Sequence, residues 1–316
     1  MGWLRQALDY LVYVLVRIVD AIVQIIGPDC ALYHARRLGR LWWAADRKHR
    51  QIALTNLANS FPEWTEARRQ AVGRASFESL VCFAVDVLLT PRRITPTGWQ
   101  RHVRLAGFKP VLELLLTPNQ PVIMLTAHYG NFEIIGYTFA TLGFATVSVA
   151  RPVDNAYLND FILGVRERHG QEILYKRGAT GSMQDVLSTG GVLCFIADQN
   201  AGQKGEFVQF FGRPASTYKS IGLLAIQYNA PIVVGCARRQ GRGFHYEIGL
   251  QEIIYPAQWQ GQPDELHWIT QRFSDAIESF VRHTPEEYWW LHRRWKSRPP
   301  GEKPGDGPQE AGARYR

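Results

Sequence analysis

Apolar residues along this 316-residue chain follow two regimes. Over the first 95 residues they recur at helical spacing; from Arg101 to about His283 short apolar runs alternate with helical stretches. Tyr10–Ile26 (YLVYVLVRIVDAIVQII) is apolar apart from Arg17 and Asp20. At about 1.5 Å per residue it makes about 25 Å of helix, just short of a hydrocarbon core of about 30 Å. It is either a buried core helix or a membrane anchor, spanning or lying in the interface. The stretch RQIALTNLANSFPEW predicts a helix that ends at Pro62, and a second runs from about Thr65 to Leu89, where Thr90, Pro91 and Pro96 break the pattern.

Beyond this arm, strands are expected at His102–Leu105, Val122–Leu125, Ala145–Ala150, Glu172–Tyr175, Val192–Ile196, Ile232–Ala237 and Phe244–Leu250. Helices are expected near 107–117, 132–142, 155–169, 179–189, 216–229 and 263–283. That alternation predicts an α/β fold, a mostly parallel central sheet flanked by helices. From Pro299 the chain is rich in Pro, Gly and polar residues, the composition of a disordered tail. The expected organisation is therefore a hydrophobic helix and helical arm over 1–95, an α/β domain over 96–298 and a tail over 299–316.

A net charge of +8 and ten Trp add a preference for an anionic partner: nucleic acid, an anionic membrane surface or a phosphorylated substrate. No zinc finger, RNP-type motif or long Lys/Arg tract is present, so nucleic acid is the least favoured. Arg36, Arg37, Arg40, Arg47, Lys48 and Arg50, with Trp42 and Trp43 among them, follow the apolar helix as a cytoplasmic juxtamembrane segment does. Cys30, Cys82, Cys194 and Cys236 are scattered with no metal-binding or disulfide spacing, which fits a reducing compartment.

The chemistry concentrates in PVIMLTAHYGNFEIIGYTFATLG, Pro121 to Gly143. His128 and Glu133, with four residues between them, would stand about 140° apart on one continuous helix and would not meet. They meet if His128 lies in a turn and Glu133 in the first helical turn behind Asn131 as N-cap. A carboxylate there can orient the imidazole and leave its other nitrogen free to take a proton from a hydroxyl.

Strand ends in such folds collect catalytic groups, and His128, Arg151 and Asp198 all fall at expected strand ends. Arg151, fixed by Pro152 and followed by Asn155 and Arg166, is placed to meet a phosphate or a developing oxyanion, or to make a surface ion pair. Asp198 can orient a base or close the strand with an Asx-turn. Phe210 and Phe211 either line a groove for a lipid chain or belong to the core. In EYWWLHRRWKSRP the interleaved Trp and Arg, including Arg293 and Arg294, suit anionic head groups or a phosphosugar.

Six blocks in this order resemble the bacterial lipid A biosynthesis (lauroyl/myristoyl) acyltransferase family: RQIALTNLANSFPEW, TAHYGNFE, ARPVDNAYLNDFILGVRERHG, the strand ending ADQN, FFGRPAST and EYWWLHRRWKSRP. The resemblance implies a glycerolipid-acyltransferase-like fold and a single-pass or monotopic enzyme of the cell inner membrane, its active site facing the cytoplasm. It further implies transfer of an acyl chain from acyl carrier protein or a CoA thioester onto a glycolipid hydroxyl. His128 would be the general base and Glu133 its orienting partner. Arg151, Asp198 and Gln199 fall on motif positions near donor or acceptor, and Asn155, Arg166, Phe210, Phe211, Arg293 and Arg294 complete the expected substrate-binding set. Family members often carry a second acidic residue where this chain has Asn200.

A thioester is already activated, so one base and one oxyanion-stabilising group suffice, and neither cofactor nor metal is expected. Two other readings stay open on the sequence. One is the same transfer onto a phospholipid or an aminolipid; the other is a membrane lipid-binding protein without catalysis, against which a retained base speaks.

Overall fold

The computed structural model describes residues 2–150, 152–166, 171–175 and 179–301. Four helices come first: α1 (Gly2–Ile26), α2 (Pro28–Ala45), α3 (Arg47–Ser60) and α4 (Glu66–Arg93). The sheet-bearing part then runs β1 (Val103–Ala106), α5 (Lys109–Leu116), β2 (Val122–Thr126), α6 (Phe132–Thr141), β3 (Thr146–Ala150), α7 (Ala156–Arg166) and β4 (Gln171–Tyr175). It continues with α8 (Ala179–Ser188), β5 (Val192–Ile196), β6 (Glu206–Phe210), β7 (Arg213–Thr217), α9 (Ser220–Tyr228), β8 (Ile232–Arg239), β9 (Tyr246–Ile254), α10 (Pro256–Trp259) and α11 (Glu265–His283).

Seven strands form the central sheet in the order β1-β9-β8-β2-β5-β3-β4. Strands β8, β2, β5, β3 and β4 are mutually parallel; β9 runs antiparallel to β8 and pairs in parallel with β1. β2 lies at the centre, and its side chains alternate between two cores as the pleat demands. Ile123 and Leu125 face the core closed by α9 and by Ile269, Phe273, Ile277 and Phe280 of α11. Val122 and Met124 face the other, closed by α2, α4, α5 and α6. Burial on both faces is why β2 and β5 read as unbroken apolar runs.

Three features differ from the sequence expectations. α4 continues through Thr90 and Pro91 to Arg93, because a proline in the last turn removes only one ladder hydrogen bond. Residues 206–217 form a two-stranded hairpin, so Ser216 and Thr217 belong to β7 and α9 begins at Ser220. Its turn residues Phe211 and Gly212 both have positive φ, 53° and 66°, the handedness that matches strand twist in a tight hairpin.

The third concerns the arm. Among the described residues no helix is long and apolar enough to cross a membrane. α1 is a single 25-residue amphipathic helix that starts well before Tyr10. It packs on α7 through Tyr10 and Tyr13 against Tyr157, and through Arg17 over the Phe161 ring. Its other face leaves Leu4, Leu8, Leu11, Leu15, Ile18, Ile22 and Ile25 exposed at spacings of three and four. The tail beyond Gly301 lies outside the described residues.

Candidate active site

The central strand delivers His128. β2 and β5 pair in a parallel register that sets Thr126 opposite Ile196, and the same register carried two residues further brings His128 beside Asp198. One carboxylate oxygen of Asp198 accepts both the backbone N–H of His128 at 3.0 Å and its Nδ1–H at 2.8 Å. Both side chains are buried, His128 8% and Asp198 2% exposed. Burial alone would raise the Asp198 pKa, but the adjacent His128, its two hydrogen bonds and nearby His292 hold it at about 2. An ionised carboxylate on Nδ1 fixes the tautomer that puts the lone pair on Nε2. Gln199, the next residue, places its side-chain Nε2 3.3 Å from that atom and can donate to it.

The turn after His128 is pinned from both sides. Gly130 N–H donates to Glu287 O at 3.0 Å and Asn131 N–H to Ala237 O at 3.1 Å. Gly130 has φ +53°, and a Cβ there would fall 2.0 Å from the Ala237 carbonyl, so only glycine fits. The Asn131 side chain caps α6 by accepting from Ile134 N–H at 3.1 Å, as the sequence implied.

Glu133 does not reach the imidazole as expected. From the first turn of α6 it faces the end of α7 and forms a two-point ion pair with Arg166, one bond being Nε to Oε2 at 2.9 Å. Burial works against the Arg166 charge, but the Glu133 carboxylate outweighs it and raises the Arg166 pKa. Asp198 therefore takes the orienting position that spacing and the family resemblance assigned to Glu133.

Several expected substrate-binding residues have structural duties instead. Asn155 caps α7 through Leu158 N–H and donates to Asp9 O at 2.8 Å, tying α1 to α7. Phe210 and Phe211 lie buried in the core, Phe211 against Trp290 and Phe210 stacked on Trp295. Arg293 is exposed. Arg294 is buried, donating to Gln199 O at 3.3 Å, to Thr217 Oγ1 at 2.6 Å and to the Ser216 carbonyl. It positions Gln199 and does not face a head group. Arg151 lies outside the described residues.

The C-terminal aromatic segment folds inward. Tyr129 and Tyr288 form an isolated β-bridge, and Trp289 N–H donates to His128 O at 3.2 Å. The Trp289 and His292 rings stand 4.8 and 5.7 Å from the His128 ring, and Phe132 completes the surround at 5.2 Å. His292 is the site residue that sequence reasoning missed; a histidine inside a Trp/Arg block was its signal. His128, Asp198 and His292 each offer a ligand-capable atom within 4.8 Å of the others, a set that could hold a divalent cation.

Phe132 also lines an apolar cavity of about 90 Å³ between α6 and the sheet. Met124, Ile135, Phe195, Val233 and Ile248 form much of its wall, and Glu133 and Arg166 contribute its charged part. Gly136 lets Gln171 pack close to this helix face, since a Cβ there would come 2.3 Å from Gln171 Nε2. Gln171 in turn donates to Ser148 Oγ at 2.8 Å. The volume admits part of a hydrocarbon chain.

Residues 2–297 match the family model of the bacterial lipid A biosynthesis acyltransferases. The chain is 27% identical over 272 residues to "Lipid A biosynthesis acyltransferase 1" of Shigella flexneri, covering 84% of this chain and 81% of that protein. It is 26% identical, with the same coverage, to "Lipid A biosynthesis myristoyltransferase" of Escherichia coli K12. Over 196 residues it is 23% identical to "Phosphatidylinositol mannoside acyltransferase" of Mycobacterium tuberculosis, 61% of this chain and 60% of that protein. The chain belongs to the bacterial lipid A biosynthesis acyltransferase family and is an acyltransferase.

Proposed function

We propose that this family member moves a fatty acyl chain from a thioester, on acyl carrier protein or CoA, to a hydroxyl of a lipid A-type glycolipid. The observation that carries the reading is a buried imidazole with Asp198 on Nδ1, at the exit of the central strand and one phenylalanine away from an apolar cavity. His128 Nε2 removes the acceptor hydroxyl's proton while that oxygen attacks the thioester carbon. The imidazolium, steadied by Asp198, then protonates the departing thiolate. The acyl chain enters the cavity beneath α6, and no cofactor takes part. The relatives' names support a lipid A-type acceptor; the basic composition suits both an acidic carrier protein and an anionic glycolipid.

The exposed stripe of α1, continued by Tyr33, Leu38 and Leu41 of α2, fits a helix pair lying in the membrane interface. On this reading the protein is monotopic on the cytoplasmic side of the inner membrane, where thioester donors are made.

The test is acyl transfer by detergent-solubilised protein, with acyl-carrier-protein and acyl-CoA donors and a Kdo-bearing lipid A precursor, read by mass spectrometry. One added acyl group, lost in His128→Ala, supports the reading. Transfer to other lipids alone would overturn the acceptor; His128→Ala at wild-type rate would overturn the base.

A further inference from the structure

We propose that His292 is a second catalytic imidazole, whose ring N–H donates to the thioester carbonyl oxygen while His128 removes the acceptor's proton. The inference rests on the acyl-transfer reading and adds to it the group that takes up the oxyanion.

The reaction requires such a donor, and two nearby cations are engaged: Arg166 is paired with Glu133, and Arg294 holds Gln199 O, Ser216 O and Thr217. His292 is differently placed. One of its ring nitrogens lies within 4.8 Å of a ring nitrogen of His128 and a carboxylate oxygen of Asp198. Its Nδ1 is buried and has no hydrogen-bond partner among the described residues.

The mount of this ring is rigid although the ring itself is uncommitted. Asn56 of α3 donates through Nδ2 to Trp290 O at 2.8 Å and His292 O at 2.9 Å. His292 N–H donates to Trp289 O at 3.1 Å, and Trp289 N–H to His128 O. This ties the second imidazole to the first through backbone, and gives the TNLANS block of the helical arm a part in the site. Fixed donors of this kind stabilise a developing charge without reorganisation. Burial lowers the His292 pKa; Asp198 opposes this, and His128 and Arg294 add to it.

The step balances. The hydroxyl oxygen bonds to the thioester carbon, its proton passes to His128 Nε2, and the carbonyl π pair moves to the oxygen facing His292. Collapse re-forms the C=O, breaks the C–S bond and returns the proton from His128 to the thiolate.

The experiment compares kcat and KM of wild type, His292→Ala and His292→Gln in the transfer assay above, with and without added imidazole. Loss of one oxyanion donor lowers kcat by about 10²–10³-fold. The expected result for His292→Ala is a loss of that size in kcat with KM little changed, recovered in part by free imidazole. His292→Gln, which keeps an N–H donor, should retain more activity than His292→Ala. Wild-type kcat in either folded variant, or a loss confined to KM, overturns the inference. Should neither variant fold, the wild-type protein is titrated with a ketone analogue of the acyl thioester. A downfield shift of the His292 ring N–H in ¹⁵N-edited NMR supports the role, and an unmoved signal overturns it. A wild-type enzyme that transfers no acyl group at all would instead refute the underlying reading.

Discussion

Asp198→Asn is the most informative single change, because it keeps the shape of the side chain and removes its charge. In the wild type one oxygen of Asp198 holds both the backbone and the ring of His128, at 3.0 and 2.8 Å. The Asp198 pKa stands at about 2 instead of 3.8, with burial pulling the other way. That carboxylate charge stands beside the imidazolium formed during transfer; a hydrogen bond to a charged group is worth about 1.5–3 kcal/mol, so removing the charge alone slows kcat by about 10–10²-fold. If the amide also turns its NH₂ to Nδ1, the ring takes the wrong tautomer and the loss approaches ~10⁴-fold. The assay is single-turnover acyl transfer at saturating donor, beside Glu133→Gln. A folded Asp198→Asn protein within tenfold of wild type, with Glu133→Gln far slower, would refute the assignment of Asp198 as the orienting carboxylate.

Four further outcomes are expected. Since the folded pKa of Asp198 lies below its unfolded value, its contribution to stability is complete above about pH 4 and is lost as pH falls through about 2; acid unfolding of Asp198→Asn should lack that component. Gly130→Ala sets a Cβ against Ala237 O at a positive φ, and circular dichroism melts should show a loss of about 2 kcal/mol or more, with activity falling alongside. Cys194→Phe fills the cavity beneath α6 and should shift donor competition toward shorter acyl chains, each excluded methylene counting about 0.8 kcal/mol; unchanged preference would remove the chain from that cavity. Arg294→Met strands Gln199 O, Ser216 O and Thr217 Oγ1, and urea unfolding should report a loss of about 3 kcal/mol.

What the sequence revealed divides along local and non-local lines. Val192–Ile196 was bounded as observed and Val122–Leu125 to within one residue, because a parallel strand buried on both faces must be a continuous apolar run. His128 at a strand exit and Asn131 as a helix cap were legible for the same local reason. The partner of His128 was not. Spacing and the resemblance point to Glu133; Asp198 is legible as a group able to orient a base, but its pairing with His128 arises through the β2–β5 register, which no local pattern encodes. Burial of Trp290, Arg294 and Trp295 was equally hidden, since interleaved Trp and Arg look alike at a membrane surface and in a core whose guanidinium finds carbonyls. The Phe211–Gly212 turn was passed over because a bulky residue at positive φ gives no turn signal.

The inward fold of residues 288–295 bears on how the protein is made. His128, Asp198 and the helical arm leave the ribosome long before Trp289, whose backbone N–H closes onto His128 O. At about 5–20 residues per second the interval from Asp198 to Trp289 is about 5–18 seconds. During it the nascent chain displays its amphipathic first helix while lacking one wall of its reaction chamber. Completion of the site and of the core around Phe210 and Phe211 therefore comes last in biosynthesis, because both wait for residues 288–295.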